Sequence, residues 1–297
     1  MKDFSSWIVY NGASEGSGRS EKVWLQNPDS EEIGLFKYAK TKKTTDNFSE
    51  CIAYKLAMLL DFPCAQYEIG NYKGRLGSMS YNIKKEPGAI INEGIKYIYL
   101  LYPNFNVDTL IDQESGSYYS IEMIEDVLKQ HWYLFQDFIG IMVFDFLIGN
   151  SDRHQSNWAI IEYHDELKLS PLYDNSSSLC AYLAEGDIDS YIGKDKLRWE
   201  SLIDNKSKSR IRIKKIDEKA PTHIQVIEYL LKNYYDEASV YINKIFSKLN
   251  EETINNILNF YIEDGLSEKR RFLIQKFLLA KINLLKELFI REVPNVK

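Results

Sequence analysis

The strongest constraint on this chain is an apolar run that ends abruptly in polar residues. From Trp132 to Ile148 (WYLFQDFIGIMVFDFLI) only Gln136, Asp137 and Asp145 carry amide or carboxylate groups. A run with no polar face does not sit on a surface, so it predicts a fully buried central helix over 132–149. The carboxylates inside it need hydrogen-bond partners, and Asp145 stands where it could brace the loop that follows. That loop reads Gly149-Asn150-Ser151-Asp152-Arg153-His154, with Asn157 three residues further on. A short apolar strand and a turn then lead to Tyr173-Asp174. An acid, an amide and a second acid are thus set on loops around a predicted hairpin, delivered there by the most buried helix.

Composition narrows the class. The chain has 297 residues, 44% of them apolar, 27% charged and 21 of them tyrosine, which fits one large domain or two lobes rather than a disordered chain. A net charge of −6 provides no global positive field, so neither direct nucleic-acid binding nor an anionic membrane surface is expected. Cys51, Cys64 and Cys180 are odd in number and widely spaced, which suits no zinc or disulfide framework and points to a reducing compartment. No leader-like h-region opens the chain, and no uninterrupted apolar run approaches membrane-spanning length. The expectation is a cytoplasmic protein.

The first 83 residues read as strands plus one helix. Residues 6–10 (SWIVY) look like a short strand and run into NGASEGSGRS, the most glycine- and serine-rich stretch; 22–26 and 33–39 resume the extended alternation. Strand, glycine-rich loop and strand make a hairpin whose backbone can approach a phosphate closely. The order G-x-x-x-G-x-G is neither the usual kinase pattern nor a P-loop, and a surface hairpin tip is the plainer reading. Lys37 lies between Phe36 and Tyr38 in the third strand; it either points to solvent or crosses the sheet face toward a nucleotide. Asp46 or Ser49 caps a helix over 47–61, with Glu50 in a first turn that suits a carboxylate for dipole reasons alone. Two further strands at 65–70 and 73–83 precede Pro87-Gly88, which mark a lobe boundary near 84–95.

The remainder reads as mainly helical. Residues 93–110 are mixed and tyrosine-rich. Helices are expected at 120–131, 132–149, 197–204, 222–234, 236–248, 251–262 and 267–291, with a loop-rich stretch over 176–196. Regular Lys and Glu interruptions mark the last of these helices as core-packed rather than membrane-facing. The basic run KSKSRIRIKK at 206–215 reads as a solvated edge whose lysines discourage aggregation, with a substrate- or phosphate-contacting patch as the alternative.

Phosphoryl transfer needs a base, a charge-neutralising metal and a cradle for phosphates. Asp152 can accept the proton of an attacking hydroxyl. Asn157 and Asp174 offer the hard oxygen ligands that Mg²⁺ prefers. His154 either braces the loop or touches phosphate, and Arg153 reads as a salt-bridge partner within the loop. Protein kinases use this order of acid, amide and acid.

The stretch LIGNSDRHQSN…LSPLYDNSSSL resembles the C-terminal domain of HipA-like serine/threonine kinases, with their G-N-x-D-x-H-x-x-N and P-x-Y-D segments. The resemblance implies an α+β, two-lobed protein-kinase-like fold: a small β-rich lobe at 1–84 with the phosphate loop, and a helical lobe at 85–297 with the catalytic and metal-binding loops. It extends to Ser17-Gly18-Arg19-Ser20-Glu21-Lys22, similar to the family's phosphate loop. It implies Gly16, Ser17, Gly18, Lys37, Met79, Tyr81 and His154 around ATP, with Met79 to Tyr81 as the adenine hinge. Asp152 and Lys37 are then catalytic, Asn157 and Asp174 bind Mg²⁺, and Ser17 is the autophosphorylation site, with Ser14 and Ser20 as alternatives. Glu50 falls where the family's first helix opens. Beginning its glycine loop at residue 12, the chain is similar to short forms lacking an extra N-terminal subdomain. The implied partners are a protein substrate, such as an aminoacyl-tRNA synthetase, and a small antitoxin; a secreted effector is the alternative setting. A lipid or small-molecule kinase and a non-catalytic ATP-binding module are the rival functions.

Overall fold

The structure, a computed structural model, describes residues 1–12, 21–40, 44–193, 195–204 and 206–292. The chain opens with β1 (Lys2–Asp3), β2 (Ile8–Val9), β3 (Lys22–Gln26) and β4 (Ile33–Tyr38), then α1 (Asp46–Leu59), β5 (Tyr67–Tyr72) and β6 (Arg75–Tyr81). The strands form one curled sheet in the order β1-β5-β6-β4-β3-β2. Within this sheet β1 pairs parallel onto β5, and the other described pairs are antiparallel. β1 is a two-residue strand, too short to leave a periodic signal. The expected strands at 22–26, 33–39 and 73–83 lie where the sequence places them. The helix begins one residue early, after Thr45, and neither Asp46 nor Ser49 caps it.

Period-2 alternation decides what faces where. Leu25, Phe36, Tyr72, Met79 and Tyr81 point to one face and close a small core with Phe4 and Trp7. The opposite face carries Leu35, Lys37, Ser78 and Ser80, which look onto the cleft beneath the sheet.

The segment read as a lobe boundary contains β7 (Ile90–Glu93), followed by α2 (Gly94–Leu101), β8 (Phe105–Asn106) and β9 (Ile111–Asp112). The stretch expected to be mixed thus holds a helix, whose tyrosines at 97 and 99 blur its apolar periodicity. Helices α3 (Ile121–Leu128) and α4 (Trp132–Ile148) come next, then the hairpin β10 (Ala159–Tyr163) and β11 (Glu166–Leu169). His164 and Asp165, both in the left-handed region, make its turn. β7 adds antiparallel to β10, giving a three-stranded sheet beside the cleft. A short α5 (Ile188–Ile192) inside the loop-rich stretch precedes α6 (Lys196–Ile203), α7 (His223–Asn233), α8 (Tyr235–Lys248), α9 (Glu251–Asn259) and α10 (Glu268–Arg291).

α4 is the axis of this part. Thirteen of its 17 residues are buried, and it packs on α3, α7, α8 and α10. The stretch Ile121–Ile148 is long and apolar enough to cross a membrane, but 72% of its most apolar window is buried inside the protein. Its hydrophobicity is therefore accounted for by packing. α10 likewise turns Leu273, Ile274, Phe277, Leu278, Ile282 and Leu285 inward.

Candidate active site

The site begins where α4 stops. Gly149 takes the left-handed conformation (φ 65°) at the helix C-terminus, which costs little without a Cβ. This turns the chain so that Asn150 N–H donates to the Asp145 carbonyl at 2.9 Å. The Asp145 carboxylate then accepts from Asn150 Nδ2 at 3.0 Å and from Arg153 Nε and a terminal guanidinium nitrogen at 3.0 and 2.8 Å. Arg153, 1% exposed, also donates to the carbonyls of Asn157 and Tyr173 and to Asn175 Oδ1, at 2.7–2.9 Å. One buried guanidinium thus ties the end of α4, the loop at 150–157 and the segment at 173–175 together. Its five donors in a planar fork suit that task. Asp145 is the brace its position suggested.

This scaffold holds Asp152 with its carboxylate 43% exposed and 3.9 Å from Arg210. Burial raises its pKa above the ordinary aspartate value, against the charges of His154 and Arg210. Asn157 donates through Nδ2 to the Asp152 carbonyl at 2.7 Å, and its Oδ1 accepts no hydrogen bond among the described residues. His154 accepts at Nδ1 from Ser156 N–H at 3.2 Å, which fixes the neutral ring with its proton on Nε2. Burial lowers the His154 pKa, favouring that neutral form.

Asp174 sits in the left-handed region (φ 52°), a strained position of the kind that clusters at functional sites. Its N–H donates to Tyr67 Oη of β5 at 3.0 Å. Lys37 of β4 donates to Asp174 Oδ1 at 3.1 Å and to Glu50 Oε1 of α1 at 2.6 Å, and Glu50 Oε2 accepts from Ser78 Oγ at 2.7 Å. Lys37 therefore faces the cleft rather than solvent, and Glu50, 1% exposed, does more than complement a helix dipole. Burial opposes the charge on Lys37, but Asp174 and Glu50 outweigh it and raise its pKa well above the usual value. Burial alone would raise Asp174 as well; the Lys37 charge and hydrogen bond, with the Ser176 hydroxyl, instead lower it to about 2. Asp174 Oδ2 accepts no hydrogen bond among the described residues.

The groups held by this scaffold line one cavity of about 1070 Å³ between sheet and helices, with Asp145 and Arg153 behind its wall. Lys37, Asp152, His154, Asn157 and Asp174 are together in it. Tyr81 borders it, but its hydroxyl is committed to Glu68 and its ring packs edge-on to Trp7. Met79 alone of the described residues of the expected set does not border the cavity, and Tyr81, on the same strand face, also turns its ring to the small core. Met79 is fully buried in that core and touches Gly34, because alternation along β6 sends Ser78 and Ser80 to the cleft instead. Gly16, Ser17 and Gly18, with Ser14 and Ser20, lie outside the described residues.

Sequence reading missed the support behind the loop. Lys281 Nζ donates to Ser207 Oγ at 2.8 Å, Ser207 lies 2.9 Å from His223 Nδ1, and His223 Nε2 lies 2.9 Å from the Asn150 carbonyl. A carbonyl can only accept, so Nε2 carries the proton and Nδ1 accepts from the Ser207 hydroxyl. The donors run in one direction, from α10 through α7 to the loop that holds Asp152. Burial, then the Lys281 charge, pushes the His223 pKa down to about 3, and burial lowers Lys281 to about 7. Both groups take up a proton more readily in the unfolded chain, so both make stability rise with pH, in separate windows. His223 acts below about 6.5, and Lys281 acts between about 7 and 10.5. Below pH 6.5 the His223 contribution is expected to fall by about 1.4 kcal/mol per pH unit. Denaturant titrations at pH 7, 6 and 5 should show this slope, and it should be flatter in His223→Gln. Equal slopes would refute the assignment.

No curated protein matches the sequence. Residues 98–236 match the family model of the HipA-like C-terminal domain. Among solved structures, the chain is similar to the Helicobacter pylori proinflammatory kinase CtkA, with a TM-score of 0.83 over 99% of both chains at 15% identity. It is also similar to the Shewanella oneidensis MR-1 toxin–antitoxin protein HipA, solved with HipB and its operator DNA. There the TM-score is 0.57 over 97% of this chain and 69% of that one, at 14% identity. At such identities these likenesses speak for the fold, and the family match spans both the Arg153 scaffold and Asp174. Residues 98–236 thus match the HipA-like C-terminal domain, set within a two-lobed, kinase-like fold.

Proposed function

We propose that the protein is a serine/threonine protein kinase that transfers the γ-phosphoryl group of ATP to a protein hydroxyl with the aid of Mg²⁺. In this reading residues 1–84 cradle the nucleotide and residues 85–297 supply the base and the metal ligands. The observation that carries it is the double contact of Lys37, to Glu50 at 2.6 Å and to Asp174 at 3.1 Å. It joins sheet, helix and metal-site loop in the arrangement phosphoryl transfer requires.

The donor set fits the metal. Asn157 Oδ1 and Asp174 Oδ2 are neutral and anionic oxygens without a hydrogen-bond donor among the described residues. Mg²⁺ is commonly held by one or two such groups together with substrate phosphates. Bound there, it would offset charge on the phosphoryl oxygens. The rest falls to the chain's own groups. Lys37 holds the phosphates, and Glu50 keeps its ammonium aimed across the cleft. Asp152 takes the hydroxyl proton, and Arg153 fixes the distance between Asp152 and Asp174. Adenine packs at the C-terminal end of β6, by Ser80, Asn82 and Ile83, which line the cavity. We place autophosphorylation at Ser17, where a phosphate would add roughly −1.5 to −2 charges beside the ATP phosphates and lower activity.

The Shewanella HipA was solved with its antitoxin HipB, and by analogy we propose a small antitoxin partner, a toxin role and a protein target such as an aminoacyl-tRNA synthetase. The free cysteines suit a reducing, cytoplasmic setting.

Nucleotide binding is tested by thermal shift. Mg-ATP at about 100 times its Kd adds about 2.7 kcal/mol, or about 5 °C in Tm at this size. Lys37→Met is expected to lose most of that shift. A wild type indifferent to millimolar Mg-ATP would refute the reading.

A further inference from the structure

The basic run at 206–215 is not a uniformly solvated edge. Lys215 is paired with Asp126 at 2.6 Å, and Lys206 donates to Tyr191 Oη at 3.0 Å. Between them the backbone is pinned: Ser209 N–H donates to the Pro221 carbonyl, Ile211 N–H to Ser209 Oγ, and Arg212 N–H to the Tyr119 carbonyl. Ser207, Ser209 and Ile211 are buried, so alternation turns Lys208, Arg210 and Arg212 outward on one side. Those three cations line a cavity of about 350 Å³ together with Ser151, the neighbour of Asp152. Asp108 is the only carboxylate in that lining, so the charge there is net positive on a chain whose total is −6. Arg210, Asp108 and Leu110 also border the main cleft, so the two cavities share a wall. Lys208 is exposed and has no ion pair among the described residues, and the nearest carboxylate to Arg210 is Asp152 itself, at 3.9 Å.

A fixed row of cations beside the candidate base is oriented toward an anion on whatever presents the hydroxyl. Resting on the kinase reading above, we infer that Lys208, Arg210 and Arg212 form a substrate-docking subsite for acidic side chains that flank the acceptor serine or threonine of a polypeptide. Arg212 is held by the Tyr118 ring at 4.6 Å and by its bond to the Glu218 carbonyl, so it shapes the subsite while Lys208 and Arg210 reach the ligand. Exposed charge pairs are each weak, and several acting together give discrimination more than tight binding.

The test uses the full chain and two serine peptides identical except for flanking Glu in one and Gln in the other. The wild type is expected to favour the Glu peptide by about tenfold in kcat/KM, and the preference should shrink at high salt. Lys208→Gln should cut the preference to about threefold, and Lys208→Glu should abolish it, with KM for ATP unchanged in both variants. Lys208 is exposed, so neither change threatens the fold. Phosphorylation of both peptides at equal rates would overturn this inference and leave the kinase reading standing. A change in KM for ATP with the peptide preference intact would overturn it in favour of a nucleotide contact. No transfer to any peptide, with no label on the protein, would remove the kinase reading and this inference with it.

Discussion

Replacing Asp152 by asparagine is expected to lower phosphoryl transfer by about three orders of magnitude while leaving Mg-ATP affinity within about twofold. A positioned general base contributes roughly 10²–10⁴ in rate, and the amide cannot take the proton. The fold should be untouched: the only ion pair of the Asp152 carboxylate among the described residues is the 3.9 Å approach of Arg210. The Asp152 backbone, which the loop does use, is unchanged by the substitution. Burial raises the Asp152 pKa, so activity should rise with pH through a limb above the ordinary aspartate range. Single-turnover rates across pH, beside nucleotide titrations of both proteins, separate lost chemistry from lost binding. A variant with more than a tenth of wild-type transfer would exclude Asp152 as the base.

The second large effect is on stability. Arg153→Met removes a buried guanidinium that serves Asp145, Asn175 and two carbonyls, and leaves the Asp145 carboxylate, 6% exposed, without its cation. Breaking a buried pair from one side costs about 3–5 kcal/mol, a large share of a typical domain's stability. Adding Asp145→Asn should recover part of this, since the stranded charge goes with it. Arg153→Lys should recover little, because a single ammonium cannot reproduce the fork. Urea denaturation of the four proteins measures each term. A loss under about 1 kcal/mol for Arg153→Met would mean that the network does not hold the loop.

How far the sequence carried depended on whether a residue's role was local. α4 was legible because a helix apolar on all sides has only one place to go, and Gly149 marked its end. Asp152, Asn157 and Asp174 were legible because their spacing is itself the signal. Lys37 and Glu50 were singled out through the family resemblance and not by their own local signal: a lysine in a strand points either way until the sheet face beneath it is known, and a carboxylate in a first helical turn is explained by the dipole alone. Their 2.6 Å contact is tertiary information. Met79 illustrates the same limit: the phase of β6, which turns its side chain into the small core and Ser78 and Ser80 to the cleft, is not written in the local sequence. The chain from Lys281 through Ser207 to His223 had no local signal. Its members lie 16 and 74 residues apart, and each has an ordinary reading on its own. A histidine opening a helix beside a capping threonine was the only hint.

The central claim is that this cleft moves a phosphoryl group, and γ-labelled ATP tests it most directly. The wild-type chain, incubated with labelled ATP and Mg²⁺, should transfer label to protein serine or threonine, with mass spectrometry locating the autophosphorylated site at Ser17. Asp152→Asn under the same conditions should stay about a thousandfold slower. Equal labelling of the two proteins, or none in the wild type alone and with the peptide acceptors, would contradict the account.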